Sequence, residues 1–324
     1  MNRKTRYFVI ASLLVLGIGV GVGLVAYYVG VPTAFAQQGP DELALVPGNA
    51  VVVAYASVHE VMASNLRERV RQALPELPDG QHQFEEATGI NIEHDVDRVV
   101  VALVPSDDVK VDAPRSGLII ASGRFDQVKI ESLVRTRGAT EETYRGRRMF
   151  AAPDAGAGLS VAFVEPGLVA LGSSALVRSA IDRKDGAANV RTNDDIMTLV
   201  RSLDRGNVWA VGRFDALTAQ AKLPADVTNR LPPVTWFAVS AHVNGGLLGD
   251  IRMQTRDEES ANQFRDVIRG IIAMANMQAD SHPEVATVLR SIQLNGSGTT
   301  VAMSFELPAE TIDLLAPGRL QPGR

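Results

Sequence analysis

Between Tyr7 and Val31 the chain carries 25 consecutive residues without a charge. As a helix this run would reach about 37 Å at 1.5 Å per residue, enough to cross a hydrocarbon core of about 30 Å. Arg3, Lys4 and Arg6 precede it and Ala34-Phe35-Ala36 follows it. A basic start, a long apolar run and a small-x-small triplet form an export signal. The length predicts a retained signal anchor over residues 1–36; the triplet, with Pro32 just upstream, predicts instead a signal peptide cleaved after Ala36. In either case the cations lie before the run, and the first charges after it are Asp41 and Glu42. The N-terminus is therefore expected to stay cytoplasmic and the bulk to be exported. The expected location is the cytoplasmic membrane, single-pass with an extracytoplasmic bulk, or the periplasm or exterior after cleavage. Gly17/Gly21 and Gly19/Gly23 are small-xxx-small pairs inside the run, a spacing that lets membrane helices approach and that is also simply common in such segments.

Hydrophobic residues make up 46% of the 324 residues, which predicts a packed core rather than disorder. With no cysteine there is no disulfide, thiolate nucleophile, Cys-based zinc site or lipid-modified cysteine anchor. The formal charge is −5, and −8 on the exported part once Arg3, Lys4 and Arg6 are set aside. An acidic ectodomain argues against nucleic acid and anionic headgroups as partners. Lysine occurs only at positions 4, 110, 129, 184 and 222 against many arginines, the bias of a GC-rich bacterial genome.

Beyond a polar linker over 37–47, short β-branched stretches alternate with amphipathic ones up to a tail over 317–324. Val51 to Tyr55, Arg98 to Pro105, Gly117 to Ala121, Arg147 to Ala152, Leu159 to Val164 and Leu168 to Leu171 read as strands, and Thr235 to Val243 turns through Asn244-Gly245-Gly246 into Leu247 to Thr255. Ala261, Phe264, Ile268, Ile271, Ile272 and Ala275 keep helical spacing over four turns, with Asp257 as the cap. Asn193 caps another helix, and Gly172-Ser173-Ser174 reads as a helix cap rather than an anion-holding turn. Hairpin turns with irregularly placed helices predict an α+β fold: largely antiparallel sheets, amphipathic helices packed on one face, and one N-terminal transmembrane helix before them. Gly123-Arg124-Phe125-Asp126 recurs as Gly212-Arg213-Phe214-Asp215, each time where a strand gives way to a helix. The repeat predicts two similar modules, 48–190 and 191–316, with Asp126 and Asp215 as structural caps and Phe125 and Phe214 buried.

No catalytic, metal or cofactor residue emerges. His59, His82, His94, His242 and His282 lack the spacing of a metal site, Glu93-His94-Asp95 cannot converge on one ion, and no nucleophile elbow or phosphate loop follows a strand. Arg145, Arg147 and Arg148, with Arg135 and Arg137 nearby, form the one local basic cluster of the exported part. It suits an anionic envelope polymer or headgroup, or an edge that resists sheet aggregation. Asp107-Asp108, Glu141-Glu142 and Asp194-Asp195 could serve a hydrolase only if carboxylates converge to about 5–10 Å across a cleft.

With Pro47-Gly48-Asn49-Ala50 opening its first strand ahead of a helix, the chain resembles uncharacterised bacterial exported proteins with an N-terminal membrane segment and tandem α/β modules. That resemblance implies location and fold style, and no activity. The expected function is a non-enzymatic envelope domain that binds or scaffolds an envelope protein or ligand, with the membrane itself a partner through Tyr7 to Val31. The alternatives are a hydrolase with loop-borne carboxylates or a carrier of an apolar ligand between sheet and helices. Self-association is open, with nothing in the sequence that demands it.

Overall fold

The computed structural model describes residues 40–67, 85, 89–105, 116–152, 159–203, 206–214, 234–279 and 283–308. Tyr7 to Val31, the triplet at Ala36, Asp107-Asp108, Asp215 and the tail lie outside them. Among the described residues no helix is long and apolar enough to cross a membrane.

The fold is α+β around one large antiparallel sheet. The strands are β1 (Val52–Ser57), β2 (Val96–Leu103), β3 (Gly117–Gly123), β4 (Thr140–Tyr144), β5 (Arg147–Ala151), β6 (Leu159–Glu165), β7 (Leu168–Ser173), β8 (Val208–Arg213), β9 (Val234–Val243), β10 (Gly246–Thr255), β11 (Gln293–Asn295) and β12 (Thr300–Pro308). The helices are α1 (Val58–Met62), α2 (Ile92–Asp95), α3 (Gln127–Thr136), α4 (Ser174–Lys184), α5 (Asp194–Ser202), α6 (Glu258–Ala279) and α7 (Pro283–Ser291), with 3-10 turns at Asp41–Leu45 and Val190–Thr192. The twelve strands among the described residues hydrogen-bond in the order β11-β12-β10-β9-β8-β1-β2-β3-β7-β6-β5-β4. Strands before and after residue 190 thus form two contiguous blocks that meet where β1 pairs with β8.

Every residue of β1 is buried, so both faces of the sheet are apolar at its centre. On one face Val53, Tyr55, Val100, Ile120 and Trp209 pack beneath Leu43 and Leu45 of the first turn, Val177 and Ile181 of α4, and Ile196 of α5. Alternation sends Val52, Ala54, Val99, Ala210 and Phe237 to the other face with Val58 of α1. There α6 covers the far end of the sheet through Ala261 and Phe264. Helices packed on one face were expected; they lie on both. A sheet with two apolar faces must be covered twice.

The strand at the seam is held by aromatic packing as well as by its ladder. Tyr55 and Trp209 are cross-strand partners, and their rings stack with centroids 5.6 Å apart at 27°. Asn207, almost fully buried, extends the β8–β9 pairing with its side chain: its amide donates to the Val243 carbonyl and its oxygen accepts from the Val243 N–H, both at 2.6 Å.

The two copies of the motif share one geometry at their Gly-Arg step. Gly123 pairs with Val96, and the Arg124 N–H donates to the carbonyl before it, that of Asp95, at 2.7 Å. Gly212 pairs with Val52, and the Arg213 N–H donates to the preceding Val51 carbonyl at 2.8 Å. A Cβ on Gly123 would lie 2.9 Å from the Val96 Cα, and one on Gly212 would lie 2.7 Å from the Val52 Cα, with the two preceding carbonyl oxygens closer still. Glycine is required because the neighbouring backbone occupies the side-chain position. Gly172, at the end of β7, meets the Gly117 carbonyl oxygen in the same way, 2.6 Å from where its Cβ would be. After the first glycine, Asp126 caps α3: its carboxylate accepts from the Lys129 N–H at 2.9 Å. Phe125 and Phe214 are half-buried rather than buried, because the chain leaves the sheet there and each ring covers its rim. Phe125 meets Phe163 edge-on, with centroids 6.4 Å apart. Asp126→Ala should lower stability by about 1 kcal/mol and Asp126→Asn should be nearly neutral, read from urea midpoints. Equal losses in both variants would mean that the carboxylate charge, not the cap, matters.

Candidate functional site

Helix α6 is the element whose surface the fold leaves unexplained. Asp257 precedes it and accepts from the Ser260 N–H at 2.7 Å; side-chain and backbone bonds from Ser260 hold the Asp257 carboxyl below the usual carboxylate range. On its inner side Ala261, Phe264 and Ile268 pack with Val234, Met253, Leu294 and Val301, and Ala275 packs on Leu289 of α7. Arg265 fixes the rotation of the helix. Buried against the β11–β12 turn, its guanidinium donates to Asn262 at 2.7 Å and to the Gly298 and Thr300 carbonyls at 3.0 and 2.8 Å.

That rotation turns a second apolar stripe outward. Val267, Met274 and Met277 are 57%, 60% and 79% exposed, a Cβ on Gly270 would meet nothing, and Ile271 is half-buried at the margin. Residues 267, 270, 271, 274 and 277 follow three-and-four spacing, and Gly270 to Ala279 contains no charged residue. Scattered exposed apolar side chains need no explanation, whereas a contiguous stripe on a fixed helix is a candidate contact surface. The signal was present in the sequence. It was hidden by the stronger inner stripe of the same helix, on which Ala261, Phe264, Ile268, Ile272 and Ala275 already satisfy the helical period.

The arginines of the basic cluster face carboxylates. Arg145 pairs with Asp182 at 2.5 Å, and Arg148 reaches Glu131 at 2.8 Å. Arg147 makes a two-pronged contact with Asp185 at 3.0 and 3.1 Å while donating to the Val164 carbonyl. Glu142 binds Arg178 on α4, whereas its neighbour Glu141 binds Arg135 on α3. Adjacent strand residues thus reach opposite faces, and this pair does not converge. Asp194 and Asp195 stand in the first turn of α5, where the helix dipole favours them. These ion pairs strap the edge hairpin β4–β5 to a helix on each face, with Glu131 only 2% exposed beneath it.

Hydrogen bonds from Arg135 and Arg147 hold the Glu141 and Asp185 carboxyls below their ordinary values. Their contribution is therefore complete above the ordinary carboxylate range and is lost as pH falls through the lowered values. On acidification below about pH 4 the β4–β5 amides should lose hydrogen-exchange protection before those of β1 and β2. Simultaneous loss across the sheet would show that the straps do not govern the hairpin.

A further buried carboxylate fastens the entry segment. Glu42 accepts from Arg98 at 2.8 Å and from the Ser122 hydroxyl at 2.6 Å. Burial first, and the Glu42 charge second, push the neighbouring Tyr55 phenol up. Among the described residues no three His, Cys, Asp or Glu side chains group to hold a metal ion.

No family model and no curated protein matches the chain. Among solved structures, crystal form I of TP0453 superposes with a TM-score of 0.48 at 12% identity, covering 87% of this chain and 99% of that one. A likeness at that level carries no argument about this chain.

Proposed function

We propose that the chain is an envelope domain of non-enzymatic binding or scaffolding type, held at the cytoplasmic membrane by Tyr7 to Val31, and that the outer stripe of α6 is its contact surface. The observation that supports this is the stripe itself: uncharged, exposed, and carried on a helix whose rotation Arg265 fixes. The export signal of residues 1–36 supports the location, with the Ala36 triplet as the route to a released form. The matched glycine junctions at Gly123 and Gly212 support two related modules, one on each side of the β1–β8 seam. An alkaline phosphatase fusion at Gly39 should be active and a cytoplasmic reporter at the same position dark. The reverse pattern would sink the envelope assignment.

A further inference from the structure

We infer that the partner of the α6 stripe is a second copy of this chain, docked helix against helix across a two-fold axis; this rests on the contact-surface reading above. Charge is the first argument. The exported part carries −8, so most approaches between two copies bring like charges together, whereas Gly270 to Ala279 contributes none. Shape is the second. Gly270 is open, with nothing within 4 Å of its would-be side chain, and it lies between Val267 and Met274 in the stripe. In an antiparallel pair centred on Gly270 and Ile271, Met274 of one copy meets Val267 of the other, twice by symmetry, and the glycines let the helices close. Composition argues against a lipid surface for the same stripe. It has no Trp, Phe or Leu, the residues with which interfacial helices enter the lipid boundary.

The contact is small. Val267 to Met277 spans about 15 Å of helix, on the order of 300 Å² of accessible surface per copy, against roughly 800 Å² per partner in a stable interface. It should therefore be weak in dilute solution and should form where the membrane segment confines copies to one surface.

The absence of cysteine makes the test direct. Full-length Val267→Cys/Met274→Cys protein is reconstituted in phosphatidylcholine vesicles and oxidised. Positions seven apart on one helix are about 10 Å apart and cannot bridge within a chain, so any disulfide joins two copies. The double variant should become mostly disulfide-linked dimer, each single variant much less, and Asn276→Cys, exposed on the other side of α6, hardly at all. Adding Gly270→Glu to the double variant should cut the linked fraction about tenfold, the effect of placing like charges at the centre of a small interface. Helix propensity favours that change, so lost linkage would not reflect unfolding. Vesicle flotation separates the two readings. Protein that does not float overturns the anchor and the dimer with it. Protein that floats but links no better at 267 and 274 than at 276 overturns the dimer alone. Thiols shielded by vesicles from a water-soluble maleimide, without dimer formation, would overturn it in favour of lipid.

Discussion

Gly123→Ala and Gly212→Ala should each lower stability by about 3 kcal/mol, the upper end of what overpacking costs. One added methyl at either site enters the backbone of the neighbouring strand, 2.9 Å from the Val96 Cα or 2.7 Å from the Val52 Cα. A side chain could rotate away; a peptide that closes the last pair of a ladder cannot move without breaking the hydrogen bond that Arg124 or Arg213 donates to its carbonyl. Gly270→Ala supplies the contrast, since its Cβ meets nothing and the position is helical. That variant should gain up to about 1 kcal/mol. Urea midpoints measure all three. Small losses at Gly123 and Gly212 would show that the repeated motif is a sequence coincidence rather than a steric requirement.

Tyr55→Ala and Trp209→Ala should each cost about 3–5 kcal/mol, as truncation of a large buried ring does. Both rings are nearly inaccessible, and they stack across the seam between the two strand blocks. Their double-mutant cycle should return a coupling of about 0.5–1.5 kcal/mol. Because β1 and β8 share one ladder, either substitution should lower hydrogen-exchange protection in β3 and in β9 together. Loss confined to one block would mean that the halves fold as independent units.

Elements with a local pattern were legible in the sequence. Leu247, Gly249, Ile251 and Met253 alternate with Leu248, Asp250, Arg252 and Gln254, a pattern that puts the first set on the packed face of β10, opposite Leu307, Phe305, Met303 and Val301 of β12. Asp257, Ser173 and Asn193 each accept from a backbone amide in the first turn of the following helix, as their position before an apolar period implied. The seam was not legible. Residues 52–57 pair with 208–212 across most of the chain, and only the packing of the whole sheet chooses that register. Strand β4 escaped notice because Thr140 to Tyr144 is largely exposed and carries no apolar alternation. Partners of the arginine cluster were equally out of reach, since Asp182 and Asp185 are far along the chain from Arg145 and Arg147. At the candidate site the outer stripe was written in the sequence, but its meaning depends on the rotation of α6, which Arg265 sets through carbonyls on another element.

The most direct measurement is oxidative footprinting of methionine, because the stripe carries its own probes. In purified protein at low concentration, Met274 and Met277 should be oxidised quickly, while the buried Met149 and Met197 serve as slow internal references. In intact envelopes the same two stripe methionines should be protected several-fold, with the references unchanged. Met274 and Met277 reacting as fast in envelopes as in the purified protein would contradict the assignment of this helix face as the contact surface.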